Sequence, residues 1–401
     1  MTELDAAVIG AGFAGLGAGA ALRQAGVQRF ALIEQGGDVG HFWSKTYDRI
    51  HLHSPWHDLP NDGGLIRRYP KFKSRDELIR YFGEYADRFD LRRSIRFNER
   101  VAQVKREGER WRLDTSAGTI SVRYLAVATA INRVPTVPRF EGRELYTGTC
   151  IHSSEYRNGR PFAGRGALVI GSGNSAAEVA LDLLEHGAGR VQMWVRGARH
   201  VISLKTFGRI ATVGRLLGMF SEKKVAEALR VRFGTPEFDA VVAQRDRMVS
   251  RFSQDLSQWG LAKPTTPPMR DALVNARIPL FDQGTVREIK RGRIGVIDGN
   301  RRAIEAFSER GVRFSDGEEA FDLIVLATGF EPGLEEFIAD RELLAPQRGR
   351  KFLPITDGQG RSTVHPSIFF PGFDPTPAGG QALGHLGWAA GSAIAAELAR
   401  G

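Results

Sequence analysis

Short apolar segments followed by glycine-rich turns occur twice along the chain and predict two similar βαβ units. Short, continuous apolar runs are typical of strands buried on both faces of a parallel sheet, and the alanine-rich runs that follow them have helical composition. The predicted elements of the two units are, in chain order, a strand at 5–9, a helix at 14–25, a strand at 29–33, a strand at 167–170, a helix ending near 186 and a strand at 190–195.

Further apolar segments lie outside these two units. Residues 122–131 and 321–330 are apolar, and each ends in Ala-Thr and a small residue, so we expect two strands that return the chain to the two sheets. Ser74 and Glu77 form a capping box ahead of an amphipathic segment, which predicts a helix that ends near residue 89. A last helix is expected to begin near Ala382.

The glycines of the first turn have the spacing Gly10-x-Gly12-x-x-Gly15, and Glu34 ends the second strand of that unit. Glycine lets a pyrophosphate approach the N-terminus of a helix, where free N–H groups favour negative charge, and a carboxylate at the end of the second strand accepts hydrogen bonds from ribose hydroxyls. The residues expected to contact this first dinucleotide are Gly10, Gly12, Phe13, Ala14, Gly15, Glu34 and Gln35.

The second turn has the spacing Gly171-x-Gly173-x-x-Ala176, but Arg196 stands where the first unit has its acid. A carboxylate there would repel a 2′-phosphate, whereas a guanidinium pairs with one in a bidentate way. This contrast assigns FAD to the first unit and NADPH to the second. The residues expected to contact NADPH are Gly171, Gly173, Asn174, Ser175, Ala176 and Arg196.

These elements predict an α/β fold with two Rossmann-like dinucleotide-binding domains of the three-layer ββα type, one for FAD and one for NADP. We expect the NADP domain to be inserted in the FAD domain. The predicted division is 1–160 for the first part of the FAD domain, 161–320 for the NADP domain and 321–401 for the second part of the FAD domain.

Composition narrows the class of protein. The chain has 401 residues, 42% of them hydrophobic, and carries a net charge of +10 without any nucleic-acid-binding motif, so part of the charge is expected to face anionic cofactors and no nucleic acid is expected as a partner. Cys150 is the one cysteine, which excludes a redox-active cysteine pair and hence a disulfide reductase. Without a long apolar run or a secretory signal, a soluble cytoplasmic protein with no membrane partner is expected.

Between the two units lies Tyr146-x-Gly148-x-x-x-His152-x-x-x-Tyr156, which resembles the fingerprint F-x-G-x-x-x-H-x-x-x-(F/Y/W) of class B flavin-dependent monooxygenases. The similarity extends over nearly the whole chain, and segments such as "TYDRIHLHSPWHDLP", "GSGNSAAEVALDLLEHGA" and "DGEEAFDLIVLATGF" resemble plant YUCCA-type flavin monooxygenases and their bacterial relatives. The chain departs from that pattern at Tyr146, at Ala130, where the relatives often have glycine, and over 205–250, which matches loosely.

The resemblance implies a reaction in which NADPH reduces FAD, dioxygen adds to the flavin C4a carbon, and the resulting hydroperoxide transfers one oxygen atom to a small organic substrate. Oxygenation at nitrogen, sulfur or a carbonyl carbon is expected, with oxidative decarboxylation of an arylpyruvate as the best single hypothesis. A Baeyer–Villiger monooxygenase and an FAD- and NADPH-binding protein without oxygenase turnover stay open as alternatives. A homodimer stays open as an assembly.

The resemblance also implies roles for individual residues. It implies that His152 and Tyr156 are catalytic, with His152 acting at the junction of the domains. The residues expected near the cofactors from the resemblance and the chain order are Trp43, His51, His53, Thr328, Gly329 and Leu383, with Gln381 and His385 as further candidates beside the flavin ring. No metal is expected, although His51, His53 and His57 alternate along one segment, because no carboxylate or cysteine cluster accompanies them.

Overall fold

The computed structural model describes residues 1–55, 59–216, 227–347, 350–376 and 382–400. The strands in these ranges are β1 Thr2–Ile9, β2 Phe30–Ile33, β3 Ile95–Arg96, β4 Val101–Glu107, β5 Arg110–Thr115, β6 Gly118–Val127, β7 Val134–Pro135, β8 Thr149–His152, β9 Gly166–Ile170, β10 Arg190–Val195, β11 Val201–Ser203, β12 Ser253–Gln254, β13 Leu280–Asp282, β14 Ile294–Asp298, β15 Ile304–Phe307, β16 Gly311–Phe314, β17 Gly317–Ala320, β18 Leu323–Leu326, β19 Phe330–Glu331, β20 Leu344–Gln347, β21 Arg350–Pro354 and β22 Ile368–Phe369. The α-helices are α1 Phe13–Gln24, α2 His41–Ser44, α3 Arg75–Arg88, α4 Asn174–Glu185, α5 Leu204–Leu216, α6 Pro236–Val249, α7 Pro268–Leu273, α8 Thr285–Lys290 and α9 Leu383–Leu398. Both predicted βαβ units are confirmed, as is the capping box of Ser74 and Glu77.

The first sheet combines parallel and antiparallel strands in the order β3-β2-β1-β6-β5-β4. Strand β6 pairs with two strands along one edge. Its first half pairs antiparallel with β5, and its second half pairs parallel with β22. The helices α1, α3 and α9 cover one face of the parallel strands, and the other face packs against the β4–β5 hairpin and the 334–353 segment. Helices, parallel sheet and β-layer therefore give the predicted ββα arrangement.

Helices α1 and α9 approach each other backbone to backbone. A Cβ added at Gly387 would stand 1.9 Å from the carbonyl oxygen of Ala14, and one added at Gly391 would stand 2.3 Å from that of Ala18. No side chain can be accommodated between the two helices at these points, since backbone atoms cannot move aside as a flexible side chain can. The terminal helix is thus held directly against the helix that follows the first glycine turn.

The second sheet is parallel throughout, in the order β14-β10-β9-β18-β8. Helices α4 and α8 pack on one face, where apolar residues of both helices join the core under β9 and β10. The three-stranded sheet β15-β16-β17 packs on the other face through Phe307, Val312 and Phe314. This second unit therefore repeats the ββα layering of the first.

The sheets do not follow the predicted division at residues 160 and 320. Strand β8 lies upstream of 161 and β18 downstream of 320, yet both belong to the second sheet, where they pair with each other. The domain limits stay a prediction, but the second sheet extends beyond them on both sides. The chain crosses between the sheets at β7 and β19, which pair antiparallel with each other.

Ala130, the residue noted above as a departure from glycine, has a φ of 65°, in the left-handed region. Its counterpart after β18 is Gly329, with a φ of 93°. An alanine in this conformation costs about 1 kcal/mol, because its Cβ crowds the carbonyl oxygen. Ala130→Gly is therefore expected to raise the free energy of unfolding by a few tenths of a kcal/mol up to about 1 kcal/mol, after the entropy cost of glycine. Denaturant unfolding would measure it, and an unchanged or lower midpoint would contradict it.

Candidate functional site

The first glycine turn leaves an open cradle at the N-terminus of α1. A Cβ at Gly15 would stand 1.9 Å from the carbonyl oxygen of Gly10, so helix and turn are in contact, whereas a Cβ at Gly12 would meet nothing within 4 Å. Gly12 is the N-cap of α1, and no side chain caps the helix there. The first N–H groups of the helix therefore face free space, which suits a pyrophosphate.

Glu34 lies buried at the edge of this first cradle. Its Oε2 accepts a hydrogen bond of 2.9 Å from the Ala11 N–H, and its Oε1 accepts one of 2.8 Å from the Gly36 N–H. Both bonds fix the carboxylate beside the turn, and each oxygen keeps a lone pair for a further donor. Gln35 is exposed next to it, while Phe13 packs edge-on against Phe82 at 4.6 Å, on the core side of the turn.

The return loop after β6 closes the first cradle from the opposite side. Ala128 lies against the turn, since its carbonyl oxygen would stand 2.8 Å from a Cβ at Gly10. The hydroxyl of the next residue, Thr129, is buried and has no hydrogen-bond partner among the described residues. An unpartnered buried hydroxyl beside an open cradle indicates a missing polar ligand.

The second glycine turn repeats this geometry at the N-terminus of α4. A Cβ at Gly171 would stand 2.3 Å from the carbonyl oxygen of Ala327, whereas one at Gly173 would meet nothing within 4 Å. Gly173 is the N-cap of α4 and again no side chain caps the helix. Ala176 is fully buried where the first unit has its third glycine. The second cradle is therefore open in the same place as the first.

Asn174, a predicted NADPH contact, is engaged with the protein. Its Nδ2 donates to the carbonyl oxygen of Pro279 at 3.0 Å, and its Oδ1 accepts from the N–H of Phe281 at 2.7 Å. Both ends of the amide therefore hold β13 against the start of α4. The side chain positions the neighbouring strand, and the N–H groups of the helix are left to face the cradle.

Two arginines follow β10, whose Trp194 carbonyl accepts a hydrogen bond from the N–H of Gly171 in the second glycine turn. Arg196 comes directly after the strand and is exposed, and its contact with NADPH stays a prediction. The more enclosed group is Arg199, whose Nη2 lies 3.3 Å from the Ser172 Oγ in the glycine turn. The Nε of Arg199 is buried without a hydrogen-bond partner in the part of the chain that the structure describes. Burial lowers the pKa of Arg199, and an anion beside it would compensate the lost hydration. In the sequence, the one indication of Arg199 is its place three residues after Arg196, in "RGAR".

The residues from Tyr146 to Tyr156 attach the edge strand β8 to the rest of the second unit. The Tyr146 hydroxyl donates to the carbonyl oxygen of Phe321 at 2.8 Å. The Tyr156 hydroxyl donates to Asp182 Oδ2 on α4 at 2.6 Å, and burial raises its pKa far above the usual range. Asp182 also accepts from the Gly159 N–H at 2.7 Å. Tyr156 is thus engaged within the protein rather than directed at either cradle.

His152 is buried and both of its ring nitrogens are engaged. The Ser154 N–H donates to Nδ1 at 3.1 Å, so Nδ1 is the unprotonated nitrogen, and Nε2 donates to the carbonyl oxygen of Gly329 at 3.1 Å. The same carbonyl accepts from the Thr136 N–H at 2.9 Å. His152 therefore holds the point where the two crossings between the sheets meet. This is the geometry of a positioning residue, and the predicted catalytic role stays a prediction.

Burial lowers the pKa of His152, which predicts a pH-dependent stability. The folded pKa lies below that of the unfolded chain, which is about 6.5, so the unfolded state binds more protons between the two values. Stability is therefore expected to be complete above about pH 6.5 and to fall as the pH decreases through the folded pKa. A His152→Gln variant keeps a donor but cannot titrate, so its melting temperature should fall less between pH 7.5 and pH 5.5. An equal fall in melting temperature for both proteins between these two pH values would contradict this prediction.

The remaining predicted residues have the following positions. Trp43 is half-buried on α2 with its ring edge-on to Phe42, and Leu383 begins α9. The Thr328 hydroxyl donates to the carbonyl oxygen of Thr136 at 2.5 Å. The His51 Nδ1 donates to the carbonyl oxygen of Arg49 at 2.8 Å.

His57 and Gln381 lie outside the described residues, and His385 lines a cleft with the 59–64 loop and Arg88. Within the described ranges, no three His, Cys, Asp or Glu side chains come together as a metal site would require. No helix there is long and apolar enough to cross a membrane.

One protein-family model and several plant enzymes are similar to this chain. The model of the pyridine nucleotide-disulphide oxidoreductase family matches residues 7–210. The indole-3-pyruvate monooxygenase YUCCA1 of Oryza sativa subsp. japonica is 32% identical over 371 residues, which are 90% of this chain and 85% of that protein. YUCCA6 of Arabidopsis thaliana is 32% identical over 368 residues, 88% of this chain and 82% of its own.

Solved structures share the fold. A flavin-containing monooxygenase from Stenotrophomonas maltophilia superposes with a TM-score of 0.67 at 20% identity, over 99% of this chain and 100% of that one. The closed form of cyclohexanone monooxygenase superposes with a TM-score of 0.73 at 18% identity, over 100% of this chain and 85% of that one. With two glycine cradles, one cysteine and relatives that match along most of its length, the chain belongs to the flavin monooxygenase family that includes the YUCCA indole-3-pyruvate monooxygenases.

Proposed function

We propose that this protein binds FAD in the first cradle and NADPH in the second, and that it transfers one oxygen atom from dioxygen to a small organic substrate. The observation that carries the proposal is the pair of cradles, which have the same open geometry but opposite charges at the ribose position, Glu34 against Arg196 and Arg199.

The residues of the first cradle fit FAD. The uncapped N–H groups of α1 suit its pyrophosphate, the fixed carboxylate of Glu34 suits a ribose, and the unpartnered Thr129 hydroxyl belongs to the loop that closes the cradle. FAD, when bound, supplies the reactivity towards dioxygen that amino-acid side chains lack. In the second cradle, Arg199 beside Ser172 suits the 2′-phosphate of NADPH.

The chain's own residues position these two ligands. His152 holds the carbonyl of Gly329 while Thr136 holds it from the other crossing, so the two return loops keep a fixed relation to the second sheet. Asn174 fixes β13 against α4 at the second cradle. Since hydride transfer demands close alignment, such fixed contacts favour the reaction over its side reactions.

For the substrate, we propose an α-keto acid with an aromatic side chain. The support is the extended similarity to plant enzymes whose printed name is indole-3-pyruvate monooxygenase. The overall reaction would be arylpyruvate + NADPH + H⁺ + O₂ → arylacetate + CO₂ + NADP⁺ + H₂O. One oxygen atom enters the carboxylate of the product and the other leaves as water.

A substrate screen tests this proposal. Purified protein would be supplied with NADPH and, in turn, arylpyruvates, amines, sulfides and ketones, while NADPH oxidation is followed at 340 nm and products are identified by mass. Carbon dioxide and an arylacetate carrying one atom of ¹⁸O from labelled dioxygen are expected. Lactone or ester formation from ketones would favour a Baeyer–Villiger enzyme instead, the alternative suggested by the shared fold with cyclohexanone monooxygenase. A colourless protein without NADPH oxidation would reject both.

We expect Arg199 to make the protein prefer NADPH to NADH by binding the 2′-phosphate. Arg199→Gln is expected to raise the KM for NADPH about tenfold or more, the effect of losing a charge-assisted hydrogen bond, while the KM for NADH changes little. Arg196→Gln should act in the same direction but less, because Arg196 is exposed. Arg190→Gln is a matched control, since Arg190 is paired with Glu319 at the other end of β10. Equal loss for NADH and NADPH would contradict the assignment.

A further inference from the structure

Residues 46–53, which we call the junction segment, belong to the first half of the chain but pack against the second unit. Tyr47 is buried and, with Ile50, contributes to the apolar core around α4 and β9. The Asp48 N–H donates to the carbonyl oxygen of Arg157 at 2.9 Å, and its Oδ2 accepts from the Asn158 Nδ2 at 2.8 Å. The junction segment is therefore a built contact between the two nucleotide-binding halves.

Two side chains of the junction segment reach carboxylates of α4. Arg49 forms an ion pair with Glu185 near the end of the helix, and His53 Nε2 lies 2.6 Å from Glu178 Oε1 near its beginning. His53, a predicted cofactor contact, is thus directed at the helix of the second cradle. Asp48 and Arg49, in contrast, do not pair with each other, since Asp48 bonds Arg75 and Asn158.

The contact of His53 with Glu178 differs from an ordinary surface ion pair. The side chain of Glu178 is only 3% exposed and that of His53 is 19% exposed, so the carboxylate is almost fully enclosed by protein. Gln283 Nε2 donates to the same oxygen at 3.0 Å. Tyr47 lies beside Glu178 and Ser175, and burial together with Glu178 raises its pKa well above the usual range. A buried carboxylate is costly unless its partners are kept in place.

The location of Glu178 connects this pair to the second cradle. Glu178 lies about one helical turn after Asn174, the first residue of α4, whose N–H groups face the cradle. The backbone just before His53 is fixed to the start of α3, because the Leu52 N–H donates to the carbonyl oxygen of Lys73 at 2.8 Å. The ring of Phe281, on the strand that Asn174 clamps, lies 5.6 Å from the ring of His53. Both sides of the contact are therefore rigidly supported.

We infer that His53 and Glu178 are positioning residues for the monooxygenase reaction. Their hydrogen bond sets the distance between the junction segment and the helix of the second cradle, and so aligns a dinucleotide in that cradle with the first one. The inference rests on the proposed function. It gives His53 a role in alignment between the halves, and the direct cofactor contact expected from the sequence stays a separate prediction.

Anaerobic stopped-flow reduction of the FAD-loaded protein by NADPH tests this inference. His53→Ala is expected to keep its FAD but to show a reduction rate at saturating NADPH about tenfold or more below wild type, because small misalignment slows hydride transfer strongly. His53→Gln, whose amide can still donate to Glu178, should recover most of that rate. Glu178→Leu, which is similar in size but offers no acceptor to His53, provides the same test if His53→Ala fails to accumulate. The dissociation constant of NADP⁺, from the perturbation of flavin absorbance, should rise in step with the loss of rate.

The matched control is His186→Gln. His186 is also a partly exposed histidine that bonds a residue of α4, since its Nδ1 lies 2.8 Å from the carbonyl oxygen of Asp182, but it is the C-cap residue at the end of the helix away from the cradle. NADPH should reduce the FAD of the His186→Gln protein at the wild-type rate. A wild-type rate and NADP⁺ affinity in both His53→Ala and Glu178→Leu, or an equal loss in the control, would overturn the inference and leave the proposed function standing. Wild-type protein that binds no FAD or accepts no hydride would overturn both.

Discussion

A Gly12→Ala protein is expected to fold and to purify without colour. The backbone at Gly12 has a φ of −96°, which alanine adopts freely, and the added Cβ meets no protein atom within 4 Å. The methyl group instead occupies the space in front of the first N–H groups of α1, where a pyrophosphate must sit. FAD content is expected to fall to about a tenth of that of wild type or less, a loss of roughly 1.4 kcal/mol or more in binding. The absorbance ratio of flavin to protein measures it.

Gly173→Ala is the matched variant in the second cradle, where the backbone is equally permissive. It should remain yellow and show a strongly raised KM for NADPH. The two variants together separate the cradles, because each removes one ligand and spares the other. Loss of FAD from Gly173→Ala with retention in Gly12→Ala would reverse the assignment of the two dinucleotides.

Gly387→Ala is expected to cost about 3 kcal/mol or more of folding stability. The new Cβ would stand 1.9 Å from the carbonyl oxygen of Ala14, and the obstacle is backbone, so α9 must shift away from α1. Because Ala14 belongs to the first cradle, FAD affinity should decrease as well. Thermal unfolding with and without added FAD measures both effects.

Ala389→Leu, on the exposed side of the same helix, is the control for Gly387→Ala. It adds more volume but has solvent in front of it, so its melting temperature should stay within a few degrees of wild type. A similar loss in both variants would mean that α9 is sensitive to any added bulk, and the contact with α1 would not be the cause.

The two cradles could be predicted from the sequence because their cause is local. Close approach of helix and strand requires small residues at fixed spacing, and Gly10, Gly15 and Gly171 carry that requirement in the sequence itself. The acid at Glu34 and the base at Arg196 follow from the same spacing. The ββα layering follows from the order of apolar segments.

What the sequence could not predict depends on contacts between distant segments. Strand β8 joins the second sheet by pairing with β18, which lies more than 160 residues later, and no local pattern records that choice. His53 meets Glu178 across 125 positions. Asn174 bonds the backbone around Pro279 and Phe281 through both ends of its amide, and no local pattern records these contacts. Partner identity in these cases is a property of the packed chain.

The two crossings between the sheets, β7 and β19, lie side by side, and Arg133, just before β7, donates to the carbonyl oxygen of Pro332, just after β19, at 3.0 Å. The second unit thus leaves and rejoins its host at one place, and a short hairpin could replace everything between. For the first unit, the insertion of the second is equivalent to lengthening one loop. The entropic cost of closing a loop grows only slowly with its length. The exception is the junction segment, whose Tyr47 and Ile50 pack in the core of the second unit. A second unit moved into another first unit would therefore have to bring residues 46–53 with it.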